Sequence, residues 1–265
     1  MKQTILITGA SSGFGLLIAN KLHQNGYNVI GTSRNPEKYV AELPFKMIAL
    51  DLDSEQSIST FSERLFKQIP QLDILINNAG FLVSGIAEEI PIDLGRKQFE
   101  TNFWGTIKVT NAILPHFRKQ KFGKIITVGS IVGLVSFPNA AYYAASKHAL
   151  EGYFKSLRYE LNEFNISVAM IEPSAFKTSI MDNSASPLNK IEAYNSLRAK
   201  IEKFTVELVK SAEDPIIVAE KILKVVQTDQ PKFRNIVGKG TSVLINLQHF
   251  AYGILEKNVL KQLNK

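Results

Sequence analysis

Short apolar runs punctuate this chain, and a stretch of helical period follows most of them. The runs lie at residues 3–8, 28–32, 45–50, 72–76, 124–129 and 166–171. Each is apolar at consecutive positions and too short for a helix. That is the pattern of strands covered on both faces in a parallel sheet. After the first run, Leu16, Leu17, Ile18, Ala19 and Leu22 form an apolar helical stripe that ends near Gly26. Further helices are expected from about 53 to 68, from 94 to 117 through Phe99, Phe103, Ile107, Thr110, Leu114 and Phe117, and from about 143 to 162. After Pro173 the alternation fails. Residues 178–187 are polar and rich in breakers, and 191–208 is again helical and amphipathic. A helix at 212–226, with Glu213 and Asp214 in its first turn, leads to a last strand at 235–238. Two helical patterns fill the tail, about 241–265.

Alternating strands and helices dictate right-handed crossovers. The expected fold is α/β: a Rossmann-type doubly wound parallel sheet of about seven strands with helices on both faces. Residues 174–210 are expected to form a small helical lid over the strand ends, with Phe176, Ile180, Met181 and Tyr194 as apolar contacts. No repeat or linker divides the chain, so one domain over 1–265 is expected.

Composition narrows the function classes. The chain is 45% hydrophobic, which is ample for a core. Its formal charge is +7, but basic residues are scattered and never form a long block. A mild attraction to anions follows, without a nucleic-acid partner. There is no cysteine, which excludes disulfides and thiolate metal sites. His23, His116, His148 and His249 have no triad or metal-ligand spacing, so no metal is expected. The longest uncharged run, 125–146, could span a bilayer by length. Gly129, Ser130, Gly133, Ser136, Pro138 and Asn139 interrupt it, so no integral membrane segment is expected. The first apolar run is too short for a signal-peptide core, and a cytoplasmic location is expected.

Candidate chemistry sits at the strand ends. Gly9-Ala10-Ser11-Ser12-Gly13-Phe14-Gly15 lies between the first strand and the first helix. Glycines there allow a tight turn, and backbone amides at a helix start attract a pyrophosphate. About 20 residues on, where an acidic residue would hold the ribose of NAD, stands Thr32-Ser33-Arg34-Asn35. Arg34 with Ser33 suits a 2′-phosphate, so NADP(H) is expected over NAD(H). Asp51-Leu52 follows the third strand, and Asp51 suits an adenine amino group, while Asp53 or Ser54 suits a helix cap. Asn77-Asn78-Ala79-Gly80 ends the fourth, where Asn77 either ties strands together or touches ribose. Ser130 ends the fifth and can donate to a substrate carbonyl, or simply cap its own loop. Tyr143 and Lys147, four apart, share one helix face, whereas Tyr142 and Lys147 do not. A cation beside a phenol favours its phenolate and makes it a better acid.

In this order, the glycine turn, Asn77-Asn78-Ala79-Gly80, Asn102, Ser130 and Tyr143-xxx-Lys147 resemble the short-chain dehydrogenase/reductase superfamily in its single-domain branch, near hydroxysteroid and retinol dehydrogenases. The resemblance implies an oxidoreductase that interconverts a ketone or aldehyde and an alcohol. Tyr143 would be the general acid and base. Lys147 would lower the phenol's pKa and hold the nicotinamide ribose, Ser130 would polarise the carbonyl, and Asn102 would support a water relay to Lys147. Pro173-Ser174-xxx-Thr178 resembles the family's Pro-Gly-xxx-Thr, with Ser174 in place of the glycine and Thr178 meeting the nicotinamide carboxamide. A homodimer or homotetramer, paired through the helices near 95–117 and 143–162, is also implied, while the lid residues suggest an apolar small-molecule substrate of moderate size. Two alternatives stay open: a non-catalytic cofactor-sensing protein on the same fold, and a nucleotide-sugar epimerase or dehydratase.

Overall fold

The computed structural model describes residues 2–177, 184–210 and 212–264. Seven parallel strands form one sheet: β1 (Thr4–Ile7), β2 (Asn28–Ser33), β3 (Lys46–Ala49), β4 (Ile74–Asn77), β5 (Gly123–Val128), β6 (Ile166–Pro173) and β7 (Arg234–Val237). Their order is β3-β2-β1-β4-β5-β6-β7. The direction of winding therefore reverses between β1 and β4, which opens a crevice at their carboxyl ends. The helices are α1 (Gly13–Gln24), α2 (Glu55–Ser59), α3 (Phe61–Phe66), α4 (Ile92–Phe99), α5 (Thr106–Gln120), α6 (Ala141–Glu160), α7 (Asn195–Lys210), α8 (Ile216–Gln227), α9 (Thr241–Phe250) and α10 (Tyr252–Leu263).

Consecutive apolar residues are needed because neighbours along a strand serve opposite faces. Leu6 packs with Ile113, Phe117 and Phe154 of α5 and α6. Ile5 and Ile7 pack with Ile18 and Leu22 of α1 and Val218 and Ile222 of α8. The same split recurs at Ile125 and Ile126, and at Met170 and Ile171. Asn77 is buried and donates to the Thr110 and Thr127 hydroxyls at 2.9 and 3.3 Å, tying β4 to α5 and β5. A third cluster seats Ile245 and Leu255 of the tail on Ile131, Leu134 and Val135, just beyond Ser130. No helix among the described residues is long and apolar enough to cross a membrane.

Two expected helices are interrupted. The 94–117 pattern is broken by a π turn at Glu100–Gly105 between α4 and α5. Asn102 lies in that turn, and a Cβ on Gly105 would come within 2.8 Å of Leu52. The 53–68 pattern divides at Thr60, whose hydroxyl donates to the Gln56 carbonyl at 2.9 Å. Such back-bonding competes with the helix ladder. Ser54 caps α2, its hydroxyl accepting the Ser57 amide at 3.2 Å, while Asp53 accepts the Thr101 hydroxyl instead. The helix expected from 212 starts at Ile216, whose amide donates to Asp214, so Asp214 and Glu213 precede it.

Phe154 is fully buried between α6 and the sheet. Phe154→Ala is expected to cost about 3–5 kcal/mol. Urea unfolding would show this as a lower midpoint with an unchanged slope.

Candidate active site

The glycine turn is built by strain and close approach. Gly9 and Gly13 have φ of +66° and +52°, the left-handed region open to glycine. Gly15 has ordinary backbone angles, but a Cβ there would stand 2.0 Å from the Gly9 carbonyl oxygen. Asn78 braces the turn: its side-chain amide donates to the Thr8 and Gly9 carbonyls at 3.0 and 3.1 Å. The amides of Asn78 and Ala79 donate to the Thr8 hydroxyl at 2.9 and 3.1 Å. The ends of β1 and β4 are thereby locked side by side. No side chain caps α1, so its first-turn amides have no side-chain acceptor.

A cleft of about 750 Å³ runs along these strand ends. Gly9, Ser11, Ser12, Gly13 and Phe14 line its middle. Ser33, Arg34, Asp51 and Leu52 line the end over β2 and β3. Asn78, Ala79 and Gly80 line the part over β4, and Tyr143 and Lys147 the end over β5. Arg34 is exposed and has no ion-pair partner among the described residues. Asp51 accepts the Asp53 amide at 3.1 Å. Gly15 lies behind the lining, Pro173 ends β6, and Thr178, Ile180 and Met181 fall outside the described residues. The close-packed glycines and the uncapped amides fit a dinucleotide diphosphate, and the free guanidinium fits a further phosphate.

At the β5 end, the Ser130 hydroxyl accepts the Val132 amide at 3.3 Å, and its own amide donates to Glu172 Oε2 at 3.0 Å. Tyr143 is half-buried. Burial pushes its phenol up to about 12; a hydrogen bond with Ser130 opposes this, and the Glu172 charge adds to it. Lys147 donates from Nζ to the Val128 carbonyl at 3.0 Å and lies 5.7 Å from the centre of the Tyr143 ring. Burial brings its ammonium down to about 8, against the pull of Glu172. The lowering of the phenol expected from Lys147 is not found; loss of solvent raises it instead. Tyr142 packs over Gly95 of α4, where a Cβ would come within 2.2 Å of its ring.

Asn102 is not a solvated helix residue. It is buried, its Oδ1 accepting the Phe81 amide and its Nδ2 donating to the Phe81 carbonyl, both at 2.9 Å. Nδ2 also reaches the Ser146 hydroxyl at 3.4 Å. This side chain braces the cleft wall and makes no direct bond to Lys147. Phe176 is also reassigned: it packs edge-on against Phe14, 5.9 Å between ring centres, in the core on the α1 side. The Tyr194 hydroxyl donates to Glu88 at 2.6 Å, pinning the segment before α7 to the loop after β4. Glu89 accepts the Ile191 amide at 2.7 Å and pairs with Arg198 there as well.

Sequence reasoning passed over Glu172, Phe81 and the Val128 carbonyl. A lone acid at the end of an apolar strand was a signal for the first; main-chain roles at the other two leave none. Ser174, in the place of the glycine, donates from its amide to the Val237 carbonyl at 2.9 Å, and its side chain faces Gly238, where a Cβ would stand 1.9 Å from the Ser174 hydroxyl. Gly238 has φ of +117°. Gly238→Ala is expected to cost about 1–3 kcal/mol through strain alone, plus the clash. Thermal unfolding of Gly238→Ala with Ser174→Gly would show partial recovery, since only the clash is removed.

The comparisons agree with this geometry. The short chain dehydrogenase family model matches residues 3–189. The uncharacterized oxidoreductase YusZ of Bacillus subtilis is 40% identical over 259 residues, covering 92% of each chain. A 3-ketodihydrosphingosine reductase of Bacteroides thetaiotaomicron is 34% identical over 246 residues, covering 91% of this chain and 90% of its own. The crystal structure of a short-chain dehydrogenase from Streptomyces avermitilis superposes with a TM-score of 0.84 at 30% identity, covering 100% of this chain and 97% of that one. With its seven-stranded parallel sheet, its glycine turn and these relatives, the chain belongs to the short-chain dehydrogenase family of oxidoreductases.

Proposed function

We propose that this chain is an NADP(H)-dependent reductase of ketones or aldehydes, working in reverse as an alcohol dehydrogenase, with Tyr143 as general acid and base. The observation that carries the reading is the meeting of the Tyr143 phenol, Ser130 and Lys147 at one end of a cleft whose middle is a glycine-built anion site. The amides from Ser11 to Phe14 hold the diphosphate, those of Gly9 and Ala10 being taken by Thr32. Arg34 with Ser33 holds the 2′-phosphate, Asp51 and Leu52 flank the adenine, and Asn78, Ala79 and Gly80 flank the sugar. Lys147 holds the nicotinamide ribose, and Pro173 and Thr178 border the ring. A nicotinamide cofactor bound there supplies or accepts the hydride.

Ser130 donates to the substrate carbonyl oxygen, and Tyr143 gives its proton to the alkoxide as it forms. A phenol held near 12 stays protonated at neutral pH, which suits the acid role. In the oxidative direction the phenolate is needed, so that rate rises toward alkaline pH. An apolar substrate is favoured by the cluster just past Ser130 and by the relative named 3-ketodihydrosphingosine reductase.

Two experiments test this. Tyr143→Phe is expected to lower kcat by about 10²–10⁴-fold on a ketone panel, read from NADPH absorbance, with cofactor affinity unchanged. Equal rates would remove Tyr143 as the donor. Arg34→Ala is expected to weaken NADPH binding roughly 10- to 100-fold, the worth of a charge-assisted contact, and to leave NADH unchanged in fluorescence titration.

A further inference from the structure

Glu172 is 1% exposed at the end of β6, a place where an unpaired charge is costly. Its residue number puts it on the α5 and α6 side of the sheet, the side of Met170 and Val168. One oxygen, Oε2, accepts the Ser130 amide at 3.0 Å. The other, Oε1, has no hydrogen-bond partner, and no ion pair joins Glu172 to a cation among the described residues. Room for this carboxyl is made on β5: a Cβ on Gly129 would stand 2.7 Å from Oε2 and 3.0 Å from Oε1. On the neighbouring strand, Ile236 pairs with Glu172, and the nearby charge of Arg234, opposite Met170, is taken by Glu151. The titratable groups its charge reaches are Lys147 and Tyr143, both on α6.

We propose that Glu172 is a positioning residue for the reaction: one oxygen fixes Ser130 through its amide, and its negative charge sets how tightly Tyr143 and Lys147 hold their protons. The inference rests on the catalytic reading above. Physically, a buried anion raises the proton affinity of both neighbours. It therefore acts in the alkaline range, where Glu172 is ionised, and there makes the Tyr143 proton harder to remove. Burial raises Glu172 itself to about 8, against the Ser130 amide and Lys147, which lower it. The three groups titrate as a coupled set.

Two variants separate the roles. Glu172→Gln keeps an oxygen for the Ser130 amide but loses the charge. Glu172→Ala loses both. In alcohol oxidation with NADP+, the alkaline limb of the rate profile is expected to move down by about one pH unit in both variants. The plateau should hold in Glu172→Gln and fall in Glu172→Ala. A limb that stays in place would overturn the proposal while leaving the reductase reading intact.

A second readout needs no substrate. A carboxyl whose folded pKa lies above its unfolded value gives stability that is present below pH 4.5 and lost as pH rises through about 8. Glu172→Gln has no such loss. Its melting temperature should therefore gain on that of the native protein between pH 5 and 8. A difference that is flat with pH would sink the proposal even if no carbonyl were ever turned over.

Discussion

The structure depends on the clamp between β1 and β4. The strands are neighbours in the sheet, yet the paired Ile7 and Ile76 lie 69 positions apart along the chain. Their carboxyl ends are joined by Thr8 and Asn78, whose side chains answer each other's main-chain groups. Because winding reverses there, helices leave on opposite faces and cannot fill the gap. The gap is the cleft. If the clamp loosened, the Gly9 carbonyl would lose its brace and the turn would lose its shape.

From that clamp the chemistry is distributed by register. Parallel pairing puts every strand's carboxyl end on one edge, so residues far apart in sequence meet there. Tyr143 and Lys147 reach the edge from α6, Ser130 from β5 and Glu172 from β6. The resulting site is drier than its residue types suggest. Loss of solvent is the first influence on the phenol, the ammonium and the carboxyl alike.

Much of the fold was legible because paired faces demand consecutive apolar residues, and the glycine turn announced itself by position. What stayed hidden depended on main-chain partners. The period of 94–117 reads as one helix because the π turn changes the hydrogen bonding and leaves the apolar spacing nearly intact. The bracing role of Asn102 was not legible because its partner is the backbone of Phe81, which carries no side-chain signal. Phe176 was misplaced because an aromatic after a strand can turn either way, and only its packing on Phe14 decides. The candidate catalytic residues were found through their spacing and order; the electrostatic balance among them required knowing what is buried.

The buried pair of Glu89 and Arg198 has a mechanical consequence. Glu89 sits almost wholly out of water, bonded to Arg198 and to the Ile191 amide. Lifting that end of α7 would leave a buried carboxylate without its cation, at a cost of several kcal/mol. The start of α7 is therefore held to the loop after β4, and the two segments are expected to move together.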